Sequence, residues 1–122
     1  MDNKHILNYV NQTPTGIPRN RIVAFGGATD KDVVLATGLN ILNCGVSTDV
    51  PCDAAGERID VIHDGFAYIE AGAAFSRGSL LGPDATGRAI NAGQTWFTVG
   101  RALESATAAG HRVLCKVQMG NI

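Results

Sequence analysis

Short apolar runs alternate with turn residues along most of this chain. The runs RIVAF at residues 21–25, VVLA at 33–36 and ILNCGV at 41–46 are each followed by glycine or by a polar loop. Runs of this length, rich in β-branched residues and bounded by turn residues, are typical of strands. No stretch keeps the helical spacing of apolar residues over three turns.

The segment ERIDVIHDGFAYIEAG, residues 57–72, has the most regular alternation of polar and apolar positions. The alternation runs up to Asp64-Gly65 and resumes after it. Asp-Gly is a residue pair that tight hairpin turns favour, because such turns need positive φ angles. The pattern therefore predicts a β-hairpin with its turn at Asp64-Gly65.

The C-terminal half predicts four more strands. Two of them, Ser79–Leu81 and Arg88–Asn91, flank a turn at residues 84–87, and the others span residues 96–104 and 112–119. In the last strand one face is apolar, and the link before it is alanine-rich enough to allow a short helical turn. Short strands at close spacing with Gly- and Asp-rich turns predict an all-β protein, a small β-barrel or a β-sandwich. The shared apolar face consists of Val113, Cys115, Val117 and Met119.

Residues 1–20 differ in composition from the rest of the chain. They are rich in Asn, Gln, Thr and Pro, and Pro14, Gly16 and Pro18 argue against a regular element. We therefore expect an extended N-terminal arm, residues 1–20, followed by a β body, residues 21–122. Apolar residues in the arm predict that it becomes ordered against a partner. The candidate contact residues are Ile6, Leu7, Tyr9, Val10 and Ile17.

Charge and composition argue against several classes of partner. The formal net charge is −1 and the basic residues are scattered, so no basic stripe predicts nucleic-acid binding. No segment approaches the ~20 apolar residues of a membrane span, and the N-terminus lacks the apolar stretch of a signal peptide. Three cysteines without CxxC or His spacing indicate reduced thiols and no metal site.

Candidate catalytic residues are sparse. His5, His63 and His111 are far apart in the sequence, and no serine lies in a GxSxG motif. The glycine-bearing loops lack the GxxxxGK[ST] pattern of a phosphate cradle and the ligand spacing of an EF-hand. Asp60 and Glu70 fall on polar strand faces, where carboxylates are usually solvated. We therefore expect no enzymatic activity and no cofactor.

The order of these motifs resembles the small capsid cement proteins of tailed phages, a family sometimes mislabelled as RecA-like. The resemblance covers residues 21–119 and rests on two patterns. One reads AGE-x-hydrophobic-x-V-x-x-x-G-x-A-x-V-x-A-G, and the other reads G-x-x-L-x-x-D-x-x-G-x-A. The matching positions are Ala55, Gly56, Glu57, Val61, Gly65, Ala67, Ala71 and Gly72, then Gly78, Leu81, Asp84, Gly87 and Ala89, and Ile69 stands where the family more commonly has Val.

The resemblance implies a cement, or head decoration, protein made in the host cytoplasm and placed on the outer surface of the virion capsid. Its partners would be the major capsid protein and further copies of itself, as a homotrimer or a homodimer. Strand addition could satisfy the backbone groups of an arm or an edge strand. Deletion of residues 1–18 would then leave a folded body that no longer binds capsids.

Two other readings remain open at this level. A ligand- or carbohydrate-binding β module would usually carry aromatic platforms, yet aromatic residues make up 6% of the chain and Trp96 is the sole tryptophan. A tryptophan is more often a core or interface residue. A small hydrolase would need a pocket with converging titratable groups, which no motif indicates.

Overall fold

The structure, a computed structural model, describes residues 5–38, 43–92 and 98–120. In these ranges the chain forms nine strands, and no helix is present, so the all-β prediction is confirmed. Most of the predicted strands are present, and the alanine-rich link before the last one is not helical. The strands are β1 (His5–Asn11), β2 (Ile22–Phe25), β3 (Asp32–Leu35), β4 (Asn43–Ser47), β5 (Arg58–Glu70), β6 (Leu80–Pro83), β7 (Ala89–Asn91), β8 (Thr98–Ala102) and β9 (Arg112–Gly120).

Five strands close into a small barrel in the order β1-β3-β2-β4-β5, and β5 pairs back onto β1. All of these pairings are antiparallel except that of β1 with β3. The barrel is filled by one cluster of apolar side chains, with Tyr9 and Leu35 packed against its edge. The cluster consists of Ile17, Val23, Val33, Cys44, Cys52, Ile59 and Val61.

The remaining strands extend the sheet from β5 in the order β9-β8-β6-β7. A bridge between Ala71 and Ala89 joins β7 back to the residue that follows β5. The larger apolar cluster lies between this sheet and the outer face of the barrel. Neighbouring residues of β2, Ile22 and Val23, enter different clusters. Strands β2 and β4 are therefore central strands, buried on both faces.

The predicted hairpin at Asp64-Gly65 is wrong, because residues 58–70 form one continuous strand. The first half of β5 pairs with β1 and β4, and the second half pairs with β9. Gly65 has φ of 110°, whereas Asp64 has no positive φ. A type I′ turn needs positive φ at both central residues. A single glycine of this kind instead marks a bend where the strand passes from one sheet to the other.

The N-terminal segment also differs from the prediction. Residues 5–11 are a barrel strand rather than a free arm, with six of them in register with β5. Ile17 bridges Cys52 and is fully buried in the barrel core. The proposed division at residue 20 therefore does not describe residues 5–20. The prolines did not prevent this arrangement, because Pro14 and Pro18 lie after β1.

The turn predicted at residues 84–87 is confirmed. Strands β6 and β7 pair in antiparallel register around it. The Asp84 carboxylate accepts hydrogen bonds from the backbone N–H groups of Thr86 and Arg88, at 2.8 and 3.0 Å. Gly87 has φ of 80°, which a glycine adopts without steric cost. Parts of two other predicted strands, residues 41–42 and 96–97, lie outside the described residues.

Candidate functional site

Several large apolar side chains are exposed on one side of the molecule, where they line a groove of about 320 Å³. Tyr68 is 51% exposed, Phe66 38%, Ile6 45% and Val50 72%. Soluble proteins seldom leave large apolar side chains clustered in this way unless the surface binds something. The apolar lining is completed by Ile62, Ala67 and Leu114, and the polar lining by Asn20, Thr48 and Asp49.

The two halves of β5 place these side chains next to each other. In the barrel half Ile6 of β1 lies opposite Ile62. In the other half, Tyr68 lies opposite Leu114 of β9, with Phe66 two pairs further along the ladder. Residues paired across antiparallel strands share a face of the sheet. The groove therefore follows β5 across its bend at residue 65.

One wall of the groove is the loop after β4, which Asn20 holds in place. The Asn20 N–H donates to the Thr48 carbonyl, and its side-chain amide donates to an Asp49 carboxylate oxygen at 3.0 Å. Arg112 donates to the Asn20 side-chain oxygen at 3.2 Å. Asn20 itself has φ of 58°, a conformation that Asn tolerates better than most residues. These bonds fix the backbone beside Val50.

The structure separates the five predicted contact residues. Ile6 and Leu7 are both exposed, and Ile6 lines the groove. Val10 and Tyr9 are half-buried, and Tyr9 packs against the barrel core. Ile17 is fully buried. Only Ile6 and Leu7 present a large exposed apolar side chain to a partner in this conformation.

Sequence reasoning missed three of the residues that form the groove, Val50, Phe66 and Tyr68. A signal for two of them was present, because Phe66 and Tyr68 alternate with Ala67 and Ile69. Ala67 and Ile69 are buried. Because side chains alternate along a strand, Phe66 and Tyr68 face outward. An aromatic pair on the solvent side of a strand is a pattern that indicates a contact surface. Trp96, the other aromatic candidate, lies outside the described residues.

The three cysteines are buried and unpaired with one another. Burial raises the pKa of the Cys115 thiol to about 12 and that of the Cys44 thiol to about 11, although a hydrogen bond with Tyr9 lowers the latter. Burial, followed by the bond to Cys44, raises the pKa of Tyr9 to about 12. A thiol is nucleophilic as the thiolate, so these groups are poorly suited to chemistry at neutral pH.

The acidic residues of β5 are engaged in structural contacts. Asp60 accepts a hydrogen bond from the Asn8 side chain. Glu70 lies 2.6 Å from Arg88 Nε and 3.5 Å from Arg21 Nη2. Within the described ranges no group of three or more His, Cys, Asp or Glu side chains is placed to hold a metal ion. No helix in those ranges is long and apolar enough to cross a membrane.

The fold and the groove together define a class of protein: an all-β module that presents an apolar contact surface on rigid strands. A family model described as phage cement protein matches residues 1–117. The chain therefore belongs to the phage cement protein family. Membership gives it a capsid cement, or decoration, role in the phage head.

Among solved structures, the chain is similar to the N base of head fiber gp8.5 in bacteriophage phi29. The TM-score is 0.73, with 97% of this chain and 98% of that chain covered. The sequences are 15% identical, so the likeness shows the shared fold alone. No curated protein matches the chain in sequence.

Proposed function

We propose that this protein binds the outer surface of the phage capsid and stabilises contacts between major capsid subunits without enzymatic activity. The observation that carries the proposal is the groove, where Ile6, Val50, Phe66 and Tyr68 are exposed together. Burial of such side chains against a capsid subunit removes apolar surface from water, which is the main favourable term in most protein association. Repetition over many copies would strengthen weak individual contacts through avidity.

The groove includes one of the five predicted contact residues, Ile6. Ile6 is exposed at its N-terminal end, and the aromatic pair Phe66 and Tyr68 extends it along β5. Lys116 lies 5.9 Å above the Phe66 ring, so a cation borders the apolar centre. An apolar centre with a polar rim is the usual anatomy of a protein interface.

Self-association is part of the proposal, with a homotrimer favoured over a homodimer. It rests on the resemblance to the small capsid cement proteins of tailed phages. Analytical ultracentrifugation of the purified protein tests it. A monomer at all concentrations, both free and after release from capsids, would contradict this part of the proposal.

The test of the capsid contact is co-sedimentation with expanded and unexpanded heads of the parent phage. Tyr68→Ser removes a side chain that is 51% exposed. Aromatic side chains bury about 200 Å² in full, so contact would bury about 100 Å² here, which corresponds to about 2 kcal/mol. We expect a loss of affinity of about 30-fold per site.

Phe25→Ser is the matched control, because Phe25 is 46% exposed but does not line the groove. We expect it to bind heads like the unmodified protein. Equal affinity of both variants would show that the groove is not the contact surface. A glycan that binds the groove and leaves head binding unchanged would favour the ligand-binding alternative.

A further inference from the structure

A row of four side chains crosses the sheet that extends from β5, beside the groove. Phe66 of β5 is in register with Lys116 of β9, which is in register with Arg101 of β8. Arg101 is in turn in register with Leu80 of β6. Residues in register across antiparallel strands share a face of the sheet. Two cations therefore lie side by side, with an apolar residue at each end of the row.

The residues next to the two cations show that the row lies on the solvent side of the sheet. Cys115 and Val117, on either side of Lys116, are fully buried in the larger apolar cluster. Ala102, which follows Arg101, is buried in the same cluster. Because side chains alternate along a strand, both cations point away from the core. Arg101 is exposed and Lys116 is half-buried.

Neither cation has an acidic partner in the described parts of the chain. Arg101 Nη1 donates to the Gly78 carbonyl at 2.6 Å. Lys116 Nζ lies 5.9 Å from the centre of the Phe66 ring. The ion pairs found in these parts involve other arginines. Like charges directly opposite each other destabilise a sheet, so the row opposes folding until a negative charge binds to it.

The carboxylates on or beside this face are engaged elsewhere. Glu70, at the end of β5, lies 2.6 Å from Arg88 Nε. Glu104, which follows β8, accepts a hydrogen bond from the Leu114 N–H at 2.8 Å. A nucleic acid would need a longer run of cations to neutralise several phosphates. A single pair of cations between two apolar residues instead matches one carboxylate on a protein surface.

We propose that Lys116 and Arg101 bind a carboxylate of the major capsid protein, an Asp or Glu side chain with apolar neighbours. This inference rests on the proposed capsid-binding function and names the chemistry of the partner. Phe66 and Leu80 would keep water from the two ends of the row. An ion pair from which water is partly excluded is stronger than one in bulk water. The carboxylate would also remove the repulsion between the two cations.

Variants of Lys116 that differ in charge test the contact by co-sedimentation with expanded heads. Lys116→Gln removes the charge, and we expect it to bind about ten-fold more weakly, because a hydrogen bond to a charged group is lost. Lys116→Arg keeps the charge and should bind within about three-fold of the unmodified protein. Lys31→Gln is the matched control, since it changes the net charge equally at an exposed lysine in the turn before β3. It should bind normally.

Lys116→Glu separates binding from folding. In the free protein the new carboxylate lies opposite Arg101, so attraction replaces repulsion and the thermal midpoint should rise by about 2–4 °C. Binding to heads should fall at least about 30-fold, because two carboxylates would then face each other. A purely structural role of Lys116 predicts that the midpoint and the binding fall together, which would contradict the inference.

Neutralising the carboxylates on the heads tests the partner group itself. Expanded heads are treated with a water-soluble carbodiimide and glycinamide, which converts accessible carboxylates into neutral amides. On these heads the unmodified protein and Lys116→Gln should bind equally, because the lysine charge then has no partner. A ten-fold difference that persisted on the treated heads would rule out a carboxylate.

The remaining outcomes distinguish this inference from the proposed function. If Lys116→Gln and Lys116→Glu bound heads normally while Tyr68→Ser did not, the inference would be wrong and the capsid contact would stand. Binding of random single-stranded DNA that only Lys116→Glu lost, with head binding unchanged, would show that the cations meet phosphate. Self-association lost in Lys116→Glu alone would assign the carboxylate to a second copy. Failure of the unmodified protein to bind heads would contradict the proposed function itself.

Discussion

Ile17→Ala tests whether the N-terminal segment belongs to the core of the fold. Ile17 is fully buried in the barrel cluster and is bridged to Cys52, with N···O distances of 2.8 and 2.9 Å. The substitution removes three carbon atoms, about 0.8 kcal/mol each, and leaves a cavity that the surrounding strands fill only in part. Such substitutions cost about 2–5 kcal/mol. We expect a loss of about 3 kcal/mol in the free energy of unfolding.

The assay is urea unfolding followed by far-ultraviolet circular dichroism. A loss of this size should lower the thermal midpoint by about 10 °C. Domains of this kind have about 5–15 kcal/mol of stability, so the variant should remain folded at room temperature. Ile6→Ala is the control, since Ile6 belongs to the same segment but is 45% exposed. We expect it to cost about 1 kcal/mol or less.

If both variants lost the same small amount, Ile17 would not be part of the core. The segment would then be the separate arm that its composition indicated. A changed denaturant slope for Ile17→Ala would show instead that the variant alters the unfolded or native ensemble. The free energies of unfolding of the two variants are therefore compared only where their denaturant slopes equal that of the unmodified protein.

Three further predictions concern stability and reactivity. Deletion of residues 1–18 should abolish cooperative thermal unfolding, because it removes β1 and Ile17; a truncated body with the original midpoint would contradict this. Gly45→Ala should cost about 1–3 kcal/mol, because its Cβ would lie 2.3 Å from the Ile62 carbonyl oxygen; urea unfolding measures it. Hydrogen bonds from Thr29 and then Gln12 lower the pKa of Asp32 below its ordinary 3.8. The ionised Asp32 carboxylate therefore stabilises the fold above about pH 4, and this stabilisation is lost as the pH falls through the lowered pKa. The stability difference from Asp32→Asn should therefore shrink in acid, and a constant difference down to pH 2 would refute the reasoning.

Local pattern was enough to predict the strand content of the body. Residues 22–25 carry their strand signal in their own residues, because β2 is a central strand with apolar residues in both clusters. Residues 112–117 carry it in their alternation, because Val113, Cys115 and Val117 are buried on one face. The turn at Asp84 was also predictable, since one carboxylate and one glycine determine it locally. These features depend on neighbours in sequence.

The two errors depended on partners distant in sequence. Asp64-Gly65 has hairpin composition, but each flank of β5 finds other strands, β1 and β4 before residue 65 and β9 after it. Residues 5–11 lie in a segment rich in Asn, Gln, Thr and Pro, yet their backbone completes the barrel by pairing with β5. The pairing partner is distant in sequence, so the composition of the segment does not reveal it.

The groove was predicted only in part, for the same reason. Its aromatic pair, Phe66 and Tyr68, is visible as an outward-facing alternation, but Val50 and Ile6 reach it through the loop after β4 and through β1. Residues from five separate segments meet there because β5 crosses between two sheets. A contact surface assembled at a crossing has no continuous sequence signature.

The position of the groove on β5 also bears on how a cement subunit can resist load. A pull on Tyr68 or Phe66 is transmitted to a strand that is hydrogen-bonded on both sides of its bend, to β1 and β4 at one end and to β9 at the other. The loop that carries Val50 is tied to Asn20, which is itself bound to Arg112 of β9. Sites on strands are held more rigidly than sites on free loops. Force applied at this face would therefore be shared by strands on both sides of the bend.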